Sequence, residues 1–121
     1  MDKIKAIEKA REYAKLVKEK ISGSEVFLFG SFVTGKYNEN SDIDIAVILK
    51  DFYGDFLEQE LNLYRLRRNI DNRIEPILLL DGNDPSGFLE EIKKNGVSLW
   101  FIKYAIYNLG VKPVEAVEKF I

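Results

Sequence analysis

Two aspartates separated by one residue, Asp42 and Asp44, stand at the start of an apolar run rich in β-branched residues. The pair Gly30-Ser31 ends an earlier apolar run, and ten residues separate it from Asp42. Because side chains alternate across a strand, both aspartates are expected on one face, about 6.5–7 Å apart. Two carboxylates this close repel each other when ionised, and a shared divalent cation relieves the repulsion.

The Gly-Ser pair adds a second chemical function to this stretch. Gly30 lets a ligand approach the backbone closely, and Ser31 can begin a short helix whose free N–H groups face an anion. Phosphate-binding donors beside a Mg²⁺-binding pair are the parts needed to activate a nucleoside triphosphate. Each motif alone has an ordinary explanation, a solvated strand end for Asp-x-Asp and a turn for Gly-Ser. Their joint placement between two predicted strands favours the chemical interpretation.

The elements that must position these residues follow from the spacing of apolar side chains. The pattern predicts helices over residues 4–21, 55–70 and Phe88–Asn95, and strands over Glu25–Phe29, 42–49, 73–80 and 97–102. This order predicts an α/β (α+β) fold, a small mixed β-sheet with helices packed on it. We expect a single domain over residues 1–121, with a core of about residues 4–100 and a C-terminal extension of about residues 103–121.

Three local features refine this prediction. Pro76 lacks a backbone N–H, which favours an edge position for the third strand. The helix over residues 55–70 carries Leu57, Leu61 and Tyr64 on one face. Residues 99–109 fit an apolar helix as well as a strand continuation, and residues 113–121 resemble a final helical piece.

Composition limits the chemistry that is open to this chain. It contains no Cys and no His, which excludes disulfides, thiolate nucleophiles and the most common general base and transition-metal ligand. Catalysis must therefore depend on carboxylates, hydroxyls, Lys, Arg and oxygen-bound cations such as Mg²⁺. The net charge of −2 argues against a broad nucleic-acid footprint. The absence of a signal-like or membrane-spanning apolar run predicts a cytoplasmic protein.

Gly30-Ser31, the ten-residue spacer and Asp42-x-Asp44 resemble the signature of minimal nucleotidyltransferases in the DNA polymerase β-like superfamily. The resemblance covers most of the chain and implies a nucleotidyltransferase fold. In that superfamily a third carboxylate on a neighbouring strand completes the metal site. Glu75, the only acidic residue inside the third predicted strand, occupies the matching place, where Asp is more common. The alternative interpretation of Glu75 is a surface residue of an edge strand.

The resemblance also implies roles for the matched residues. Asp42, Asp44 and Glu75 would hold Mg²⁺ and act in catalysis, with Glu75 receiving the proton of the attacking hydroxyl. Gly30 and Ser31 would grip the phosphates of ATP or another nucleoside triphosphate. Lys36 would supply the positive charge that many relatives carry as an Arg near the position of Thr34.

Small members of this superfamily resemble the antitoxin half of two-gene systems whose partner is an all-helical HEPN protein. The resemblance therefore implies transfer of a nucleoside monophosphate, AMP from ATP, to a hydroxyl of such a partner. The alternative is a non-catalytic module of the same fold that binds a nucleotide or a partner. The departures at Glu75 and Thr34 keep this alternative open, whereas Ser31, Asp42 and Asp44 favour the enzyme.

Two further clusters bear on partners. Four arginines near the end of the helix that precedes Glu75 could contact phosphate or an acidic partner, although a solvated helix end explains them as well; they are Arg65, Arg67, Arg68 and Arg73. Four aromatic residues late in the chain favour either an interface with a second subunit, which would make a homodimer, or an extension folded back over the core. They are Trp100, Phe101, Tyr104 and Tyr107.

Overall fold

The computed structural model describes residues 1–52 and 54–99. Its helices are α1 (Lys3–Lys20), α2 (Ser31–Thr34), α3 (Phe56–Leu66) and α4 (Phe88–Asn95), with a 3₁₀ turn over Arg67–Asn69 directly after α3. Its strands are β1 (Glu25–Phe29), β2 (Ile43–Leu49), β3 (Ile74–Leu80) and β4 (Val97–Ser98). The predicted combination of a small mixed sheet with helices is confirmed.

The four strands form one sheet in the order β3-β2-β1-β4. Strand β1 pairs with β2 and with β4 in antiparallel fashion, whereas β2 and β3 are parallel and are connected through α3. Strand β3 therefore lies at an edge of the described sheet, as Pro76 predicts.

The two faces of the sheet carry two separate apolar clusters. One face packs on α1, α2 and α3; its buried strand residues include Val26, Leu28, Ile43, Ile45, Val47, Ile74 and Leu78. The other face packs on α4; its buried residues are Phe27, Ala46, Ile48, Leu89 and Ile92. Alternation along β2 places Asp44 on the second face, in line with Ala46 and Ile48.

Two hydrogen bonds position helix α1, one at its own N-terminus and one to helix α3. Asp2 caps its N-terminus by accepting a hydrogen bond from the N–H of Lys5 at 2.8 Å. Further along α1, the buried Tyr13 hydroxyl donates to the carbonyl of Leu63 in α3 at 2.6 Å. In a continuing α-helix that carbonyl would accept from the N–H of Arg67, and the chain passes into its 3₁₀ turn at Arg67.

Helix α3 is shorter than the sequence predicts, and its face with Leu57, Leu61 and Tyr64 is exposed. The regular helix ends at Leu66. Leu57, Leu61 and Tyr64 do share one face, but they are 64%, 47% and 37% exposed, and Leu63 on the opposite side is the buried residue. The spacing of apolar residues alone does not show which face is buried, because both faces of the helix carry apolar side chains.

The fourth strand, predicted over residues 97–102, already ends at Ser98, and residues 100–102 of that prediction lie outside the described residues. Strand β4 covers two residues, and Leu99 beyond it is buried in the first cluster. The aromatic cluster from Trp100 to Tyr107 and the alternatives for residues 103–121 lie outside the described residues. Within the described residues, no helix combines the length and apolar character that crossing a membrane requires.

Candidate active site

Strand register brings three residues of the second face into one row. Asp44 in β2 pairs with Phe29 at the end of β1 and with Glu75 near the start of β3. Asp42 precedes β2 by one residue and is exposed, whereas Asp44 and Glu75 are partly buried. The structure therefore places the three predicted carboxylates at one end of this face, on two adjacent strands and the loop before one of them.

Gly30 joins this row to α2 through a conformation that only glycine adopts readily. Its φ of 79° and ψ of −150° lie in a region that L side chains rarely occupy. A Cβ at this position would overlap the Asp44 carboxylate. The backbone after β1 is consequently packed directly against a predicted metal ligand, and a side chain at position 30 would require the Asp44 carboxylate to move.

Helix α2 begins immediately after this glycine. The Gly30 carbonyl accepts from the N–H groups of Val33 and Thr34, both at 3.0 Å. The N–H groups of Ser31 and Phe32 precede this first hydrogen-bonded turn, so the helix offers them no acceptor. Ser31 and the following amides thus come directly after the glycine that packs against Asp44.

Lys36 is less closely integrated than Gly30 and Ser31. It is exposed, follows the left-handed Gly35 that ends α2, and makes no hydrogen bond or ion pair with the residues that the structure describes. The neighbouring Tyr37 is held by stacking on Phe32, with ring centroids 4.9 Å apart. The structure does not bring the Lys36 ammonium group into contact with the carboxylates, and its phosphate-binding role stays a prediction.

The carboxylates interact through their charges. Partial burial raises the pKa of Asp44 above its ordinary value of 3.8, and the negative charges of Asp42 and Glu75 raise it further. Within the described residues, neither Asp42 nor Asp44 has a hydrogen-bond or ion-pair partner for its side chain. Asp44 is therefore an unpaired acidic group in a region of negative potential.

Glu75, in contrast, has two partners that the sequence did not reveal. Its Oε1 lies 3.2 Å from Nη1 of Arg67, and its Oε2 accepts from the Tyr64 hydroxyl at 3.4 Å. The guanidinium of Arg67 lies 4.9 Å from the centre of the Tyr64 ring. A Tyr and an Arg three positions apart on a helix form one local unit, and that spacing is the sequence signal that could have indicated it.

The donor set fits a hard divalent cation. Carboxylate oxygens are the ligands that Mg²⁺ prefers, and a cation would offset the repulsion that raises the pKa of Asp44. Among residues 1–52 and 54–99, however, no three acidic side chains converge as a complete metal-binding group. Glu75 is turned toward Arg67 and Tyr64, so Asp42 and Asp44 are the two carboxylates that face no partner.

An apolar cleft lies beside Gly30, between α2 and α4. Its lining includes the apolar Phe29, Val33 and Phe88, together with the polar Glu91 and Asn95 of α4. The Phe29 and Phe88 rings meet edge to face with centroids 5.7 Å apart. A flat apolar group attached to a phosphate at Gly30 would find aromatic and aliphatic surface here.

The small mixed sheet with its helices has the architecture of the nucleotidyltransferase fold, and the Gly30 turn lies against the carboxylate row of that sheet. The chain belongs to the nucleotidyltransferase domain family, whose model matches residues 10–113. No curated protein sequence is significantly similar to it. Its fold is similar to the crystal structure of a candidate nucleotidyltransferase from Sulfolobus solfataricus, with a TM-score of 0.57 and 24% identity over 79% of this chain and 80% of that one.

Proposed function

We propose that this protein transfers AMP from ATP to a hydroxyl group of a partner protein, with Mg²⁺ bound by Asp42, Asp44 and Glu75. The observation that carries the proposal is the contact between the proposed phosphate-binding turn and the carboxylate row, where a Cβ on Gly30 would overlap the Asp44 carboxylate. A triphosphate at Ser31 would therefore lie next to the acidic groups that must bind its counter-ion.

The bound cation would supply positive charge to the triphosphate and to the attacking oxygen. The protein's own groups account for the remaining requirements. Backbone N–H groups of Ser31 and Phe32 donate to phosphate oxygens, and Lys36 adds a positive charge when its flexible side chain reaches them. The attacking oxygen forms a bond to the α-phosphorus, the bond to the β-phosphate breaks, and pyrophosphate leaves with its electron pair.

Glu75 takes the proton of the attacking hydroxyl in this proposal. No His is present to do so, and Glu75 is the carboxylate whose Oε2 already accepts from a hydroxyl, that of Tyr64. Its side chain is 40% exposed, so a hydroxyl on another molecule can reach it. This accessibility supports a protein acceptor over a small molecule enclosed in the fold.

An all-helical HEPN-type protein, neutralised by this chain as its cytoplasmic antitoxin, is the proposed partner. The exposed apolar face of α3 is a candidate binding surface for this partner. Leu57, Leu61 and Tyr64 lie on it, and the Tyr64 hydroxyl contacts Glu75. A protein docked on this face would present its hydroxyl close to the proposed base. The non-catalytic module remains the competing function, and activity measurements separate the two.

The test is single-turnover transfer of labelled AMP from ATP to the helical partner. We expect Glu75→Gln to leave binding of ATP with Mg²⁺ nearly intact, because Asp42 and Asp44 remain, and to slow transfer by about 10²–10⁴-fold. Glu75→Asp should retain partial activity if the reach of the carboxylate matters. Glu25→Gln is the matched control, since Glu25 is an exposed strand glutamate at the opposite end of the sheet.

The outcomes are distinct for each interpretation. Full activity of Glu75→Gln would remove Glu75 from the site. A wild-type protein that binds the partner and ATP but transfers nothing to it would favour the non-catalytic module.

A further inference from the structure

Arg67 contacts the third predicted metal ligand but is not itself matched to any motif of the family. Its Nη1 donates to Oε1 of Glu75 at 3.2 Å and to the backbone carbonyl of Ile74 at 2.9 Å. The Tyr64 ring lies under its guanidinium, and the Tyr64 hydroxyl donates to the second oxygen of Glu75. Both oxygens of Glu75 are therefore engaged by one Arg–Tyr unit at the end of α3.

We propose that Arg67 is a positioning residue that holds Glu75 away from Asp42 and Asp44 until a divalent cation binds. The inference rests on the proposed function, because it assigns Glu75 to the metal site. On loading, Glu75 exchanges its contact with Arg67 for the cation. Arg67 thus makes completion of the site depend on the cation.

The geometry allows Arg67 to release Glu75 without losing its own place. The Ile74 carbonyl and the Tyr64 ring both hold the guanidinium independently of the Glu75 carboxylate. Because Ile74 belongs to β3 and Tyr64 to α3, the guanidinium stays fixed between strand and helix when Glu75 leaves.

The strength of the ion pair also suits reversible release. The side chains of Arg67 and Glu75 are 25% and 40% exposed. Pairs with this much solvent contact are weak, whereas separating a fully buried pair leaves an unpaired charge in the protein interior. A divalent cation between Asp42 and Asp44 can therefore compete with Arg67 for the same carboxylate.

In the metal-free protein the positive charge of Arg67 offsets part of the negative charge of the carboxylate row. Asp44 and Glu75 are directly paired across two adjacent strands and Asp42 lies two residues before Asp44, so three free carboxylates here would repel one another. Arg67 supplies one positive charge beside this row, and that charge compensates Glu75 while no cation is bound.

The experiment measures the affinity for Mn²⁺ alone by calorimetry, without nucleotide or acceptor. Arg67→Met should tighten Mn²⁺ binding about two- to fivefold, the range expected when a half-exposed ion pair no longer competes. In a Glu75→Gln background the same substitution should change the affinity by less than the error of the measurement. Arg68→Met is the matched control, because Arg68 is exposed and has no partner among the described residues.

Equal tightening in the two backgrounds would overturn the proposal, since Arg67 would then act only as a repelling charge. Unchanged affinity in Arg67→Met, or the same gain in Arg68→Met, would overturn it too. Arg67→Gln, which can still donate to the Ile74 carbonyl, repeats the cycle if the Met variant fails to fold. Because no transfer is measured, an inactive wild type would count against the proposed function and leave this result standing.

Discussion

A single methyl group at position 30 would test how the Gly30 turn, the proposed phosphate-binding segment, and the carboxylates depend on each other. Gly30→Ala places a Cβ against the Asp44 carboxylate in a backbone conformation that alanine disfavours. We expect a loss of about 1–3 kcal/mol in unfolding free energy from the backbone alone. Transfer should fall by about 10²-fold or more, because Asp44 must move.

Gly82→Ala is the control for this substitution. Gly82 also has a positive φ, of 85°, but a Cβ added there would meet no atom within 4 Å. Urea unfolding should show a cost for both variants, and the transfer assay should show a defect for Gly30→Ala alone. A catalytic defect of equal size in Gly82→Ala would contradict the role of the Asp44 contact.

The raised pKa of Asp44 makes stability depend on pH in a predictable direction. A raised pKa means that the folded state binds the Asp44 proton more tightly than the unfolded chain does. Ionisation of Asp44 therefore lowers the unfolding free energy as pH rises from about its ordinary value of 3.8, and the loss persists at neutral pH. Asp44→Asn should be as stable as the wild type or more stable at pH 7 without metal, and should lack this decline.

Urea unfolding between pH 4 and pH 7 measures the effect, with the exposed Asp51→Asn as control. Addition of Mg²⁺ at pH 7 should stabilise the wild type and leave Asp44→Asn nearly unchanged. A large loss of stability in Asp44→Asn would instead mark Asp44 as a structural residue.

Spacing alone selects Gly30, Asp42 and Asp44 as candidate residues, because they belong to a motif within one continuous stretch. Glu75 follows from the family resemblance together with its place in a predicted strand, and neither source predicts how its side chain is held. The Arg67 and Tyr64 contacts arise where a helix end meets a strand edge, and their geometry depends on how α3 packs. The sequence marked Arg67 only as part of a charged cluster, which has a simpler explanation as a solvated surface.

At the scale of elements, the buried hydroxyl of Tyr13 fixes α1 to the end of α3. Burial raises the pKa of Tyr13, so its proton stays in place to donate to the Leu63 carbonyl. Tyr13→Phe should lower the unfolding free energy by about 1–3 kcal/mol, because a buried carbonyl loses its partner. Tyr37→Phe is the control, since the Tyr37 hydroxyl has no partner among the described residues and its ring stays stacked on Phe32.

Denaturant unfolding followed by circular dichroism compares the two variants. Equal stabilities for Tyr13→Phe and Tyr37→Phe would show that the contact with Leu63 contributes nothing.

Element boundaries were predicted best where the signals were local. The limits of β1 and α4 agree with the sequence because Gly residues and a turn-rich segment bound them. The prediction for helix α3 is too long, since residues after Leu66 continue the helical pattern while the chain there enters a 3₁₀ turn and the Leu63 carbonyl accepts from Tyr13. That contact joins residues far apart in the chain, and no local pattern records it.

For the molecule as a whole, nucleotide and cation should stabilise the fold cooperatively. In the proposed function the negative triphosphate would bind at the Gly30 turn, which packs against the negative Asp44, so the cation would offset the repulsion between them. ATP and Mg²⁺ together should raise the melting temperature by more than the sum of their separate effects, with about 2.7 kcal/mol of stabilisation at a hundredfold excess over Kd. Thermal unfolding with ATP in chelator provides the comparison, and equal shifts with and without Mg²⁺ would contradict the linkage.

The parallel pairing of β2 with β3 has a consequence for how the site is made. Strands β1 and β2 are neighbours in the chain, so Gly30 and Asp44 can meet as soon as that antiparallel pair closes. Glu75 reaches the row only after the crossover through α3 has formed, and contacts across longer loops form more slowly. We expect a nascent chain to bring Gly30 and Asp44 together first and Glu75 last, so that the order of synthesis is also the order in which the site is assembled.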